Sequence, residues 1–206
     1  MTLFEYDAAI RESVDAIHLC GVDEAGRGPL AGPVYAAAVI LPPEISLEGL
    51  NDSKKLTEKK REQLFEEIKY VALAWCIASA SVQEIEELNI LQAALLAMKR
   101  AVKGLNLPPD FVLVDGDKLP TIETTASVLP KGDMTSACIA AASILAKVER
   151  DRQMLALAEE YPAYSFEKHK GYGTKLHYQM LDEHGPCPAH RSCFLEKWSR
   201  QCGKLI

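Results

Sequence analysis

The chain has 206 residues, 48% hydrophobic and 25% charged, an ordinary composition for a globular protein with room for one large domain. No apolar run reaches the roughly 18 residues of a membrane span, and residues 1–20 lack the basic-then-apolar order of a secretory signal. Export and membrane insertion are excluded as default readings, and a cytoplasmic location is expected.

In chain order, residues 17–23 read as a strand stopping at a Gly-rich turn. Residues 34–41 are a near-continuous apolar run ended by Pro42 and Pro43, as a strand buried on both faces would be. From Thr57 to Tyr70 the pattern is an amphipathic helix with Thr57 as N-cap and Lys60 where a capping box prefers Glu. Residues 71–80 form a third strand. Residues 82–102 are helical by period, broken at Gly104 and closed by Pro108 and Pro109. Residues 111–115 are a short apolar strand, and 123–128 a weaker one. The longest helical pattern runs from Met134 to Tyr161, stopped by Pro162; its first half is small and apolar almost all round, so it is buried at close range. Residues 162–206 read as a compact helical annex. The expected fold is α/β, a mixed sheet flanked by helices with a C-terminal helical region. Residues 1–161 form the core, the annex packs on it, and the whole is one structural domain.

The net charge of −6 argues at first against a polyanionic partner, yet its distribution does not. Residues 162–206 balance to +3, leaving −9 on the rest, and residues 53–61 balance to +4. An acidic body with two basic patches suits a protein that gathers carboxylates around cations and holds a polyanion beside them. Solvated helix faces are the plain alternative. The six cysteines include no C-x-x-C. His184, Cys187, His190 and Cys193 stand at three-residue steps, but the spacing matches no common structural zinc pattern. A proline-rich turn is the preferred reading there.

The strongest local signal is residues 21–33, Gly-Val-Asp-Glu-Ala-Gly-Arg-Gly-Pro-Leu-Ala-Gly-Pro. Asp23 and Glu24 stand where a strand gives way to a turn, and a turn directly after Asp23 would bring Glu24 round beside it. Acids so close repel each other unless a cation sits between them. Gly26 and Gly28 let backbone amides approach an anion, and Arg27 adds a forked donor suited to phosphate. Asp115 ends an apolar strand, a common place for a ligand-binding acid in open α/β sheets; a turn-forming Asp-Gly is as good a reading, and Asp117 is a rival. Asp133, before the long helix, reads by itself as an N-cap. Asp151, mid-helix among basic residues, reads as an ion-pair partner. A few hard oxygen ligands select Mg²⁺ or Mn²⁺, and such ions beside phosphate-binding groups suit phosphodiester hydrolysis. Neither a P-loop nor a G-x-S-x-G elbow is present.

These blocks together, D-E-A-G-R-G, V-D-G, K-G-D with A-A-A-S-I-L-A-K-V-E-R-D, and H-K-G-Y-G-T followed by H-R-S-C-F, resemble ribonuclease HII. The resemblance implies an RNase H-like fold with a five-stranded mixed sheet. It implies an enzyme that cleaves the RNA strand of RNA–DNA hybrids and nicks duplex DNA on the 5′ side of an embedded ribonucleotide, leaving 3′-hydroxyl and 5′-phosphate ends. By position, Asp23, Glu24, Asp115 and Asp133 match the catalytic metal ligands, which replaces the cap reading of Asp133 or adds to it. Gly26, Arg27 and Gly28 match the motif that meets the ribonucleotide's 2′-hydroxyl and flanking phosphate, and Tyr172 matches the tyrosine stacking at the ribonucleotide–deoxyribonucleotide junction. Ser53 and Lys54 of the N-D-S-K loop are candidate phosphate contacts, with Ser143, Lys147 and Arg191 as weaker ones. The start of the chain, with the D-E pair at 23 and 24, leaves no room for the substrate-binding N-terminal domain of ribonuclease HIII. The expected partner is nucleic acid, the expected state a monomer. The rivals are a non-catalytic binder of RNA–DNA hybrids and a zinc-stabilised interaction module around His184–Cys193.

Overall fold

The computed structural model describes residues 1–51, 53 and 56–202. Five strands, β1 (Leu19–Ala25), β2 (Val34–Ile40), β3 (Ala74–Ala80), β4 (Phe111–Asp115) and β5 (Ala126–Leu129), form one sheet in the order β3-β2-β1-β4-β5. β2 is antiparallel to β1 and β3, whereas β1, β4 and β5 run parallel. Parallel neighbours need a long crossover. The chain crosses from β3, past β2 and β1, to β4 through α3 (Val82–Leu88) and α4 (Ile90–Lys103).

Both faces of the sheet are covered. On one, Cys20, Val22, Ala36, Ala38, Ile40, Val112 and Val114 pack against Ala93, Ala97, Met98 and Ala101 of α4. On the other, Ala37 and Val39 meet α2 (Glu58–Val71) and α5 (Ala137–Glu160). β2 is buried on both sides, which is why its sequence shows an apolar run instead of alternation. The small residues of α5 let it lie almost on β1. A Cβ built on Gly21 would stand 2.1 Å from the carbonyl carbon of Cys138, backbone against backbone.

Several boundaries differ from the sequence expectation for identifiable reasons. The single helix expected over 82–102 is two, because Asn89 adopts φ 70° and its Oδ1 accepts from the amides of Leu91 and Gln92, capping α4. α2 runs through Val71, so β3 starts only at Ala74. An unexpected helix, α1 (Leu3–Val14), opens the chain with a Thr2/Glu5 capping box. Its Asp7 carboxylate accepts from the amide of Cys138 at 2.8 Å, a negative charge at the start of α5, where the helix dipole favours it. The N-cap of α5 is Ser136, whose side chain accepts from Ile139. Asp133 lies in a separate 3₁₀ turn, Gly132–Met134, so the cap reading of Asp133 is corrected.

After α5 come a 3₁₀ turn (Pro162–Tyr164), α6 (Phe166–His169), α7 (Lys175–His184) and α8 (Ser192–Cys202). Their Tyr164, Phe166, Leu181, Leu195 and Trp198 pack on Leu30 and Ala31, behind β1, and on Met154 and Leu157 of α5. No helix among the described residues is long and apolar enough to cross a membrane.

Candidate active site

β1 does not stop at Asp23. It pairs with β2 through Ala25, and the turn comes at Gly26, whose φ of 100° suits glycine. Asp23 therefore shares the face of Gly21, toward α5, and Glu24 the opposite one, so no turn brings Glu24 round beside Asp23. Glu24 lines a shallow recess with Arg27, Leu91, Leu95, Asp115 and Asp117. Val22 pairs with Val114, so Asp23 and Asp115 are the next residues on adjacent parallel strands. Asp115 Oδ1 accepts from the Gly132 amide at 2.6 Å, which ties β4 to the turn carrying Asp133. Asp133 is 5% exposed. Asp117, the rival, is exposed in the turn after β4.

Asp23 is 5% exposed. Burial first, then the charges of Glu24 and Asp115, push its carboxyl well above the usual carboxylate range, against hydrogen bonds from the Glu24 amide and the Ser143 hydroxyl. Arg27 Nη1 lies 3.3 Å from Glu24 Oε1. Among the described residues no three His, Cys, Asp or Glu side chains stand in a ready cluster around one ion point. That holds for the four acids and for the His184–Cys193 segment. The acids nonetheless fit a hard cation of the kind that keeps its waters and takes one or two carboxylates plus substrate phosphate. Oxygen donors are the right chemistry, and the repulsion on Asp23 is what a cation relieves.

Beside the acids, two loops meet. Gly28 stands against Tyr172, with a Cβ built there 3.9 Å from the tyrosine's Cε1. Tyr172 is 42% exposed. Backbone bonds from Leu30 to Gly171 and from Arg191 to Leu30, each 2.8 Å, join the two loops. Arg191 is not placed as a phosphate contact. It is fully buried, and its guanidinium donates to the carbonyls of Gly26, Arg27, Pro29 and Gly32 at 2.7–3.1 Å. Its role is to hold the loop.

Ser53 and Ser143 are also buried, and their hydroxyls lie 2.8 Å apart. With Ser143 donating to Asp23, Ser53 donates to Ser143, because each hydroxyl has one proton. They support Asp23 from behind instead of facing a phosphate. Lys147 Nζ donates to Asp151 at 2.7 Å, and Arg150 Nη1 is 3.5 Å from the same oxygen, so Asp151 is the ion-pair partner expected. Lys54 lies outside the described residues.

Sequence reasoning missed Arg150, buried between the two loops, and three buried histidines behind Tyr172. The Tyr172 carbonyl accepts from His177 Nδ1 at 3.0 Å, and His177 Nε2 meets His190 Nε2 at 3.0 Å. His190 Nδ1 accepts from the Cys187 amide, and His169 Nδ1 from the Gly171 amide. His169 Nε2 donates to the Tyr164 carbonyl. Each ring has one donor and one acceptor role, so all three are satisfied when neutral. Burial, as the leading cause, lowers all three, His177 and His190 to about 4. Four of five histidines in the last segment was the available signal.

The family described as ribonuclease HII matches residues 20–201. The ribonuclease HII of Idiomarina loihiensis is 60% identical over 176 residues, covering 85% of this chain and 94% of the relative. Among solved structures, the ribonuclease H2 from Pyrococcus horikoshii OT3 has a TM-score of 0.74 at 26% identity, covering 91% of this chain and 99% of that one. A Bst ribonuclease HIII in complex with Mn²⁺ has a TM-score of 0.65 at 17% identity, covering 86% of this chain and 64% of that one, a likeness of fold.

Proposed function

The chain belongs to the ribonuclease HII family, and from that membership and its site we propose that it cuts on the 5′ side of ribonucleotides, in hybrids and singly in duplex DNA, leaving 3′-hydroxyl and 5′-phosphate ends. That it is a ribonuclease H, a hydrolase of nucleic acid, follows from the family; the non-catalytic binder is set aside with it. The observation that carries the finer reading is the juxtaposition of the acids at the ends of β1 and β4 with the Gly26–Arg27–Gly28 loop and Tyr172.

Asp23, Glu24, Asp115 and Asp133 are the residues that would hold Mg²⁺ or Mn²⁺. When bound, such an ion supplies activation of water and neutralisation of the leaving oxygen in phosphodiester displacement. Asp23 is oriented for that role by Ser143 and the Glu24 amide, and Asp115 by the Gly132 amide. Gly26 and Gly28, without Cβ atoms, let the backbone reach the sugar and test its 2′-hydroxyl, the group that separates RNA from DNA. Tyr172 offers its exposed face to the neighbouring nucleotide, as aromatic side chains do for unstacked bases and sugars. Arg27 and Lys147 add affinity without sequence preference.

The test is a labelled DNA duplex containing one ribonucleotide, incubated with the protein and Mg²⁺ or Mn²⁺, with EDTA and all-DNA controls. A single nick 5′ of the ribonucleotide, absent from both controls, is expected. Cleavage of hybrids with no nick at the single ribonucleotide would sink the finer reading.

A further inference from the structure

Arg150 is the most anomalous group in the molecule. It sits inside α5 with 0% exposure, where arginine is rarely found unless paired. Nη2 donates to the Lys170 carbonyl. Nη1 is 3.5 Å from Asp151, whose same oxygen is already bonded at 2.7 Å by Lys147. Nε and Nη1 have no hydrogen-bond partner among the described residues, a costly arrangement for a buried charge. Its position explains why it is tolerated. The guanidinium carbon lies 5.3 Å from the centre of the Tyr172 ring, within cation–π range. On another side its Nε lies under Gly26, 2.9 Å from where a Cβ would be. One planar cation thus touches both loops, the ring of Tyr172 and the glycine that begins the 26–28 turn.

We propose that Arg150 is a positioning residue that sets the enzyme's preference for a ribonucleotide–deoxyribonucleotide junction, by holding the Tyr172 ring at a fixed height beside Gly26 and Gly28. This rests on the junction reading of Tyr172 given above. With the guanidinium against the ring on one side and Gly26 against the guanidinium on another, the position of the ring relative to the 26–28 turn depends on Arg150. Arg191, the second buried guanidinium, holds that turn through its four carbonyl bonds. Lys in place of Arg150 keeps a charge under the ring but loses the flat surface and the fork that reaches Lys170. Gln keeps a planar end and loses the charge.

The experiment measures kcat/KM on two substrates, a duplex with a single ribonucleotide and an all-RNA strand paired with DNA, the second offering no junction. Arg150→Gln and Arg150→Lys are each made in the natural chain and in Tyr172→Leu, with a thermal melt for every variant. Arg150→Gln is expected to lower the ratio of junction to hybrid cleavage by about 10-fold, the scale of a desolvated cation–π contact. Arg150→Lys should lower it by about 3-fold. In the Tyr172→Leu background either change should move the ratio less than about 2-fold, since the ring it acts through is gone. A merely structural Arg150 lowers both substrates together and leaves the ratio alone; that outcome overturns the proposal. So does an equal drop in the ratio with and without Tyr172. If Arg150→Gln gives no cooperative melt, Arg150→Lys carries the same comparison. Tyr172→Leu alone tests the underlying reading, because an unchanged ratio there removes the junction role whatever Arg150 does.

Discussion

The acid end of the sheet and the arginine-backed loops beside it both bury charge, and they satisfy it to different degrees. At the acid end, Asp23 is surrounded by Glu24 and Asp115 and resists ionisation. Beside the loop that follows β1, Arg150 and Arg191 are buried with backbone carbonyls, aromatic rings and one shared carboxylate for company. The acid end is not arranged for stability, and the cation proposed above would relieve it, whereas Arg191 is already satisfied by four backbone carbonyls. Strain of this kind is typical of functional sites. The two differ in what would happen if the charge were deleted, because the arginines also satisfy carbonyls while the acids mostly repel each other.

The largest expected effect is at the cationic side. Arg191→Met should destabilise the fold by about 3–5 kcal/mol, read as a lower urea midpoint, because four carbonyls lose their donor. A midpoint near that of the natural chain would show that the guanidinium does not hold the loop. At the acid side, Asp115→Asn should leave stability nearly intact and cost about 10²–10³-fold in kcat with Mg²⁺ saturating, the scale of one lost electrostatic group. Turnover within a few-fold of normal would remove Asp115 from the ligand set. Behind Tyr172, the neutral histidines make the annex acid-sensitive. His177 and His190 bind protons at about 4 in the fold against 6.5 when free. The unfolded chain therefore takes up protons first, and stability is lost as pH falls from 6.5 toward 4. Urea midpoints across this window should fall with acid, and His190→Gln should flatten the curve; an unchanged slope would place the sensitivity elsewhere. The smallest effect has the opposite sign to the first. Asp23→Asn, assayed in EDTA at neutral pH, should gain about 1 kcal/mol of stability while losing activity, since it removes a buried charge from a repulsive site. A destabilised variant would show that Asp23 is structurally compensated.

Much of this was readable from residue order. The apolar run of β2, the Asp at the end of β4 and the Thr57 cap all came through because each is a local signal with a single mechanism behind it. The start of α5 did not. Asp133 and Ser136 are both good caps, and tertiary contacts decide between them: Asp115 takes the Gly132 amide, and Asp7, 131 positions away in the chain, takes that of Cys138. Glu24 was expected beside Asp23 because the glycines after it advertise a turn, yet pairing with β2 carries the strand to Ala25. Arg150, and the buried role of Arg191 in place of the phosphate contact expected of it, were illegible for a different reason. Arginine in a sequence reads as surface, and nothing local announces that eight residues of loop, 26–33, will be folded over both.

Those loop bonds also set an order of events during synthesis. Segment 26–32 takes its shape from Gly171, Ala189 and Arg191, which leave the ribosome 139 or more positions after Gly32. At about 5–20 residues per second that is a wait of roughly seven to thirty seconds. Throughout it the nascent chain carries Asp23 and Glu24 but no framework to hold the loop that follows them. The acids of β1 and β4 are thus in the chain well before the residues that shape loop 26–32, and a chain stalled before Gly171 lacks that shape.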